Sequence, residues 1–149
     1  HIYPGLAIAH AIGELARQAQ QSVEIDFVGS PEGLESKIVP AKGLPLHLIA
    51  SGKFNFSGSV FLKVRTVFRV FWGLVQSFIL ARRLRPSLVI GVGGYASFPF
   101  VLACAVQGIP CVLWDANAHP GLANRILSRF VKRCFVVFSE ASQHLHCRD

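Results

Sequence analysis

Apolar residues follow a helix-like pattern in some segments and a strand-like pattern in others, and the two kinds of segment alternate along the chain. After Pro4 they return about every 3.6 residues as far as Gln20, the spacing of one face of an α-helix. The segment Val23 to Gly29 is short, β-branched and ends at a glycine, as a strand before a tight turn does. A second helix and strand follow: residues 34–39 predict a short helix and residues 44–50 a short strand. The first third of the chain therefore predicts helix, strand, helix, strand.

The longest predicted helix runs from Val60 to Leu84 and ends before Pro86, since the residue preceding a proline disfavours helix. Strands and helices then alternate to the C-terminus, and the strands are apolar on both faces. That pattern is typical of a parallel sheet with helices on both faces, so we expect an α/β, Rossmann-like fold. The predicted segments are strand 87–94, helix 97–108, strand 109–115, helix 120–130 and strand 133–138.

The start of the chain departs from this plan. A Rossmann-like half begins with a strand that lies centrally in the order 3-2-1-4-5-6, followed by a glycine turn and the first helix. Here the first residue, His1, already lies at the N-terminus of the predicted first helix. We therefore expect the first strand to be missing and the domain to be incomplete at its N-terminus.

Composition favours one domain, residues 1–149, because 149 residues that are 52% hydrophobic can form one sizeable core. The longest uncharged apolar run is shorter than the roughly 20 residues that span a bilayer, so we expect no integral membrane segment. The histidines lack ligand spacing, and we expect no metal and no cofactor. The cysteines lack metal-site spacing and are expected to be reduced thiols; they are Cys104, Cys111, Cys134 and Cys147.

Charge is distributed unevenly along the chain. The formal net charge is +7, and no acidic residue lies between Glu35 and Asp115. Such an asymmetry favours an anionic partner, which could be phosphate, nucleic acid or a lipid headgroup. Because no nucleic-acid recognition motif is present, we do not expect a nucleic-acid partner.

Two loops at the ends of predicted strands could bind a ligand. GVGGYAS, residues 91–97, could present backbone N–H groups to an anion at a helix N-terminus, or could be only a tight turn. In WDAN, Asp115 and Asn117 could reach a sugar hydroxyl, with Asp115 as a general base or an orienting group. The alternative is that these polar residues cap the next helix. His1, at a helix mouth, could take a proton or stabilise an anion.

The long helix and the loop before it combine aromatic and basic residues. Phe68, Phe71 and Trp72 are flanked by arginines, as in a helix that lies on an anionic membrane surface. The alternative is that the apolar stripe packs in the core and the cations are ordinary solvated surface. The basic residues on this helix are Lys63, Arg65, Arg69, Arg82 and Arg83.

Taken in order, HIYPGLAIAHAI, GVGGYASFP, GIPCVLWDANAHPGLAN and the basic aromatic helix resemble the N-terminal domain of the MurG family. Those enzymes are peptidoglycan GlcNAc transferases with the two-domain GT-B fold. The resemblance covers nearly the whole chain. It implies that the chain is truncated at both ends, lacks a C-terminal donor domain, and is inactive alone.

The resemblance also implies the reaction of the intact enzyme. GlcNAc would pass from UDP-GlcNAc to the C4 hydroxyl of MurNAc in undecaprenyl-diphosphate-MurNAc-pentapeptide, with inversion, converting lipid I to lipid II. The protein would bind peripherally at the cytoplasmic side of the plasma membrane.

Residue roles follow from the same resemblance. His1 matches the histidine of the family's glycine-rich loop, as base or diphosphate contact. Gly93, Gly94 and Tyr95 would bind the acceptor diphosphate, and Asn117 a substrate sugar. The family's membrane-facing patch falls on Val64, Phe68, Phe71 and Leu74, surrounded by Lys63, Arg65 and Arg69.

WDAN departs from the family's His-Glu-Gln-Asn, which leaves the role of Asp115 open. Two rival functions remain: a non-catalytic membrane-anchoring subunit of a split GlcNAc transferase, and a soluble Rossmann-like nucleotide-binding module.

Overall fold

Helices and strands alternate along the part of the chain that the computed structural model describes. That part is residues 2–51 and 60–147, with side chains described for all except 60–63. The predicted helices and strands are present, most of them shorter than predicted, and a 3-10 helix at Ser139–His144 was not predicted. The helices are α1 Ile2–Gln18, α2 Glu35–Ala41, α3 Val60–Leu84, α4 Ser97–Val106 and α5 Leu122–Leu127. The strands are β1 Phe27–Gly29, β2 Leu46–Leu48, β3 Val89–Gly91, β4 Cys111–Asp115 and β5 Arg133–Val136.

All strand pairs are parallel and form two sheets in the described part. β1 pairs with β2, and the second sheet has the order β3-β4-β5. These pairings match strands 3-2 and 4-5-6 of the Rossmann-like order. The α/β fold class predicted from the sequence is confirmed. The expected first strand would precede residue 2 and lies outside the described residues.

The core centres on α4, which packs against α3, α5, β3 and β4. Val101 and Cys104 of α4 meet Leu113 of β4 in the main cluster of buried residues. A Cβ added to Gly91 would lie 2.7 Å from Leu113 Cδ2 and 3.0 Å from Val101 Cγ2. Glycine at position 91 therefore lets α4 approach the sheet closely.

Helix α3 has one buried face. Gly73, Ser77 and Ala81, spaced by one helical turn, are all buried. A Cβ on Gly73 would lie 2.0 Å from the carbonyl oxygen of Ala50, and Gln76 Oε1 accepts a hydrogen bond from Ala50 N at 2.6 Å. By length and composition alone, Val64–Leu84 could also cross a membrane, the one such stretch among the described residues. Its contacts with Ala50 show that α3 packs as part of the α/β domain.

The cysteines divide into two pairs. Cys134 and Cys147 form a disulfide with Cα atoms 6.0 Å apart, so the prediction of reduced thiols is wrong for this pair. The tail after the 3-10 helix folds back onto β5, which local spacing could not reveal. Cys104 and Cys111 are free, as predicted, and the structure buries both of them.

Candidate functional site

The two candidate loops lie at the carboxyl ends of neighbouring strands. Gly91 of β3 is in register with Leu113 of β4, so Gly93 and Asp115 each follow two residues further along parallel strands. Ligands of open α/β sheets bind outside this edge. The structure therefore brings the glycine turn and the WDAN loop to the same edge, as predicted.

The glycine turn requires glycine for its backbone. Gly93 and Gly94 have φ angles of 91° and 87°, in the left-handed region that side chains disfavour. A Cβ on Gly94 would meet nothing within 4 Å, so the turn borders open space. Tyr95 is exposed, and α4 begins at Ser97 without a side-chain cap. An anion could approach the backbone here without displacing a side chain.

The first turn of α1 reaches the same region. A Cβ on Gly5 would lie 3.4 Å from Val92, which precedes the glycine turn, and 3.6 Å from Phe27 of β1. The start of α1 thus lies between the two sheets, beside the turn. His1 itself lies outside the described residues, and its predicted role stays a prediction.

Asp115 lies at the centre of a hydrogen-bonded cluster. The residue is 4% exposed. Oδ1 accepts hydrogen bonds from the backbone N and from Nδ2 of Asn117, both at 2.9 Å. Oδ2 accepts one from Asn124 Nδ2 at 2.8 Å. We call Asp115, Asn117 and Asn124 the carboxylate cluster.

This geometry favours an orienting role for Asp115. A carboxylate held by three N–H donors and covered by protein is poorly placed to take a proton from a substrate. Asn117, by contrast, is exposed while its amide is fixed by Asp115. The alternative of helix capping is wrong, because the N-cap of α5 is Gly121 and no side chain caps it.

Asn124 was not identified from the sequence. It lies within α5, where a polar residue in an amphipathic pattern suggests nothing more than a helix surface. In the structure it is buried, and its Oδ1 has no hydrogen-bond partner among the described residues. Only the packing of α5 against the end of β4 brings it to Asp115.

The predicted membrane patch is largely exposed. Val64, Phe68 and Phe71 are 61%, 67% and 61% exposed, whereas Leu74 is half-buried. The sequence analysis did not assign the other exposed apolar residues of α3 to the patch. These are Val67, Trp72 and Ile79.

The cations near this patch differ in their surroundings. Arg65 is exposed, while Arg69 is half-buried and its guanidinium pairs with Glu32. The side chain of Lys63 lies outside the described residues. Arg69 therefore contributes less free positive charge than its position in the sequence suggested.

A parallel α/β domain with a glycine turn and a polar cluster at one carboxyl edge is a Rossmann-like ligand-binding domain. The model of the Glycosyltransferase family 28 N-terminal domain matches residues 1–136, and the chain belongs to this family.

Two relatives carry one name, UDP-N-acetylglucosamine–N-acetylmuramyl-(pentapeptide) pyrophosphoryl-undecaprenol N-acetylglucosamine transferase. The protein from Bdellovibrio bacteriovorus is 54% identical over 97% of this chain, and that from Desulforudis audaxviator is 42% identical over 99%. The chain spans 39% and 38% of their respective lengths.

The crystal structure of Acinetobacter baumannii MurG is similar in fold. It superposes with a TM-score of 0.73 at 23% identity, covering 95% of this chain and 38% of the MurG chain. At this identity the likeness supports the shared fold alone.

Proposed function

We propose that this chain is the acceptor-binding domain of a GlcNAc transferase that converts lipid I to lipid II. The observation that carries the proposal is the carboxylate cluster beside the glycine turn, at one edge of a family 28 glycosyltransferase domain. A donor domain, supplied by a further part of the enzyme, would hold UDP-GlcNAc over this edge.

In the proposed reaction, the C4 hydroxyl of the acceptor MurNAc attacks the anomeric carbon of GlcNAc. The bond from that carbon to the UDP oxygen breaks with inversion, and a base takes the hydroxyl proton. His1 is our candidate for the base or a diphosphate contact. Inversion in one step needs no covalent enzyme intermediate, so positioning and charge stabilisation carry the catalysis.

The described residues would position the acceptor. The N–H groups of the turn at Gly93, Gly94 and Tyr95 would face its diphosphate, helped by the positive end of the α4 dipole. Asn117 would bind a sugar hydroxyl, with Asp115 holding its amide in place. In this proposal Asp115 is a positioning residue.

The exposed face of α3 would hold the domain at an anionic membrane surface, where the lipid-linked acceptor resides. Val64, Phe68 and Phe71 would enter the interface, and Arg65 would meet headgroups at up to about 1 kcal/mol per cation. The enzyme would then lie peripherally on the membrane, on the cytoplasmic side of the plasma membrane in this proposal. A soluble nucleotide-binding module would lack this attachment.

A chimeric enzyme tests the transfer reaction. The matching segment of the Bdellovibrio relative is replaced by this chain, and incorporation of labelled GlcNAc into lipid I is measured. We expect activity, and about a tenfold loss of kcat/KM in Asn117→Ala, from one lost hydrogen bond. A chimera that still binds UDP-GlcNAc but makes no lipid II would overturn the proposal.

A further inference from the structure

An open cavity of about 370 Å³ lies at the amino ends of β3 and β4. Arg85 and Pro86 precede β3, and Ile109 precedes β4, so the cavity is at the sheet edge opposite the glycine turn. It is therefore separate from the candidate transferase site. Its lining residues are Ala81, Arg82, Arg85, Pro86, Gln107 and Ile109.

Two arginines, Arg82 and Arg85, are among the residues that line this cavity. Among the described residues, no carboxylate pairs with Arg82, Arg83 or Arg85. Arg82 instead packs over an aromatic ring, with Cζ 4.7 Å from the ring centroid of Phe78. Planar guanidinium forks with free donors match the geometry of phosphate oxygens.

Arg85 has an unusual backbone. Its φ of 47° is left-handed, and it directly follows Leu84, the last residue of α3. This position after a helix normally favours glycine. Strained residues cluster at functional sites, and here the strained residue is one of those that line the cavity.

The far wall of the cavity is fixed by hydrogen bonds. Gln107 Nε2 donates to the carbonyl oxygens of Ala103 at 2.9 Å and Phe78 at 3.4 Å, linking the ends of α4 and α3. The rest of the lining is apolar. The lining thus combines two arginines that have no carboxylate partner among the described residues with a partly apolar wall.

We propose that this cavity binds a phosphate group, carried by a phospholipid headgroup or by a soluble phosphorylated compound. Arg82 lies about five turns after Val64 and so points from the same side of α3 as the exposed apolar patch. The site does not depend on the proposed transfer reaction, because it lies at the other edge of the sheet.

Thermal unfolding with and without pyrophosphate, at constant ionic strength, tests the site. We expect pyrophosphate to raise the Tm of the unaltered chain. In Arg85→Gly, the Tm without pyrophosphate should rise, because glycine relieves the left-handed strain, and the pyrophosphate shift should fall to the part that the glycine turn contributes. Arg83→Gln, the control, removes the same charge outside the lining and should keep the shift.

Vesicle binding distinguishes the two sources of phosphate. Arg85→Gly should weaken binding to phosphatidylglycerol vesicles about tenfold more than Arg83→Gln does if a lipid headgroup is the ligand. Equal vesicle binding with a reduced pyrophosphate shift in Arg85→Gly would assign a soluble ligand. The proposal is overturned if Arg85→Gly and Arg83→Gln behave alike in both experiments.

Discussion

Asn124 Nδ2 donates a hydrogen bond to Asp115 Oδ2 at 2.8 Å, and both side chains are buried. The bond joins α5 to the end of β4, nine residues earlier in the chain. It therefore fixes the loop that carries Asn117, as well as satisfying a buried charge.

Replacing Asn124 with alanine should lower the free energy of unfolding by about 2–4 kcal/mol, because a buried carboxylate loses a charged hydrogen bond and a void remains. Urea unfolding measures the change. Asn117→Ala, at an exposed position, is the control and should cost about 1 kcal/mol. Equal losses in the two variants would contradict the buried bond.

Two glycines in helices should respond oppositely to alanine. Gly73→Ala places a Cβ 2.0 Å from the backbone oxygen of Ala50, and should cost about 1–3 kcal/mol or more. Gly13→Ala meets nothing within 4 Å in α1 and should gain about 0.5–1 kcal/mol. Thermal unfolding of both variants checks the contact between α3 and Ala50. A neutral Gly73→Ala would rule out that close approach.

The cysteine pairing predicts how many thiols can be labelled. In denaturant without reductant, iodoacetamide should modify only Cys104 and Cys111, and after reduction all four cysteines. In the folded chain Cys104 and Cys111 should resist modification because both are buried. Mass spectrometry counts the added groups. Four modified cysteines before reduction would exclude the disulfide.

Stability should fall at alkaline pH because of the buried thiols. Burial raises the pKa of Cys111 to about 11, and burial with the neighbouring Cys111 raises the pKa of Cys104 to about 12. Below a thiol's ordinary pKa of about 8.5, both states keep these protons and stability is unaffected. Above it the unfolded chain ionises first, so stability drops until the folded pKa is reached. The slope is at most about 1.4 kcal/mol per pH unit for each thiol.

Urea unfolding at pH 8, 9 and 10 measures this slope. A Cys104→Ala, Cys111→Ala variant should be less stable throughout but should show a flatter dependence on pH. Parallel curves for the two proteins would mean that ionisation of these thiols does not cause the loss of stability at alkaline pH.

The exposed face of α3 predicts membrane binding. Phe68→Ser with Phe71→Ser should abolish salt-sensitive co-sedimentation with anionic vesicles, because both rings are exposed on the helix that also carries Arg65. A matched pair, Phe130→Ser with Phe135→Ser, replaces rings that are each 52% exposed outside α3 and should bind normally. Loss of binding in both pairs would indicate nonspecific adhesion.

Local patterns were sufficient to predict most elements of the fold. Helix α3 matches its predicted bounds because the break before Pro86 is local and strong. Strand β1 was predicted from Val23 but is paired only over Phe27–Gly29, because a strand ends where its partner ends, and β2 has three residues. The 3-10 helix lacked a periodic apolar signal.

The candidate site was only partly predictable. Gly93, Gly94, Asp115 and Asn117 lie at or just after the carboxyl ends of predicted strands, so parallel topology alone places them at one edge. Asn124 and the disulfide depend on how segments pack across the fold, and spacing along the chain carries no such information. The burial of Asp115, which favours an orienting group over a base, likewise arises only from packing.

The contacts of α3 with Ala50 have a mechanical consequence. Because Gly73 lies against the Ala50 carbonyl and Gln76 accepts a hydrogen bond from the Ala50 amide, these contacts oppose rotation of the helix about its own axis. The azimuth of its outer face is therefore locked to the end of β2. A domain that docks through that face would therefore bind a flat surface in a single orientation. The glycine turn would then stay at a constant height above that surface from one docking event to the next.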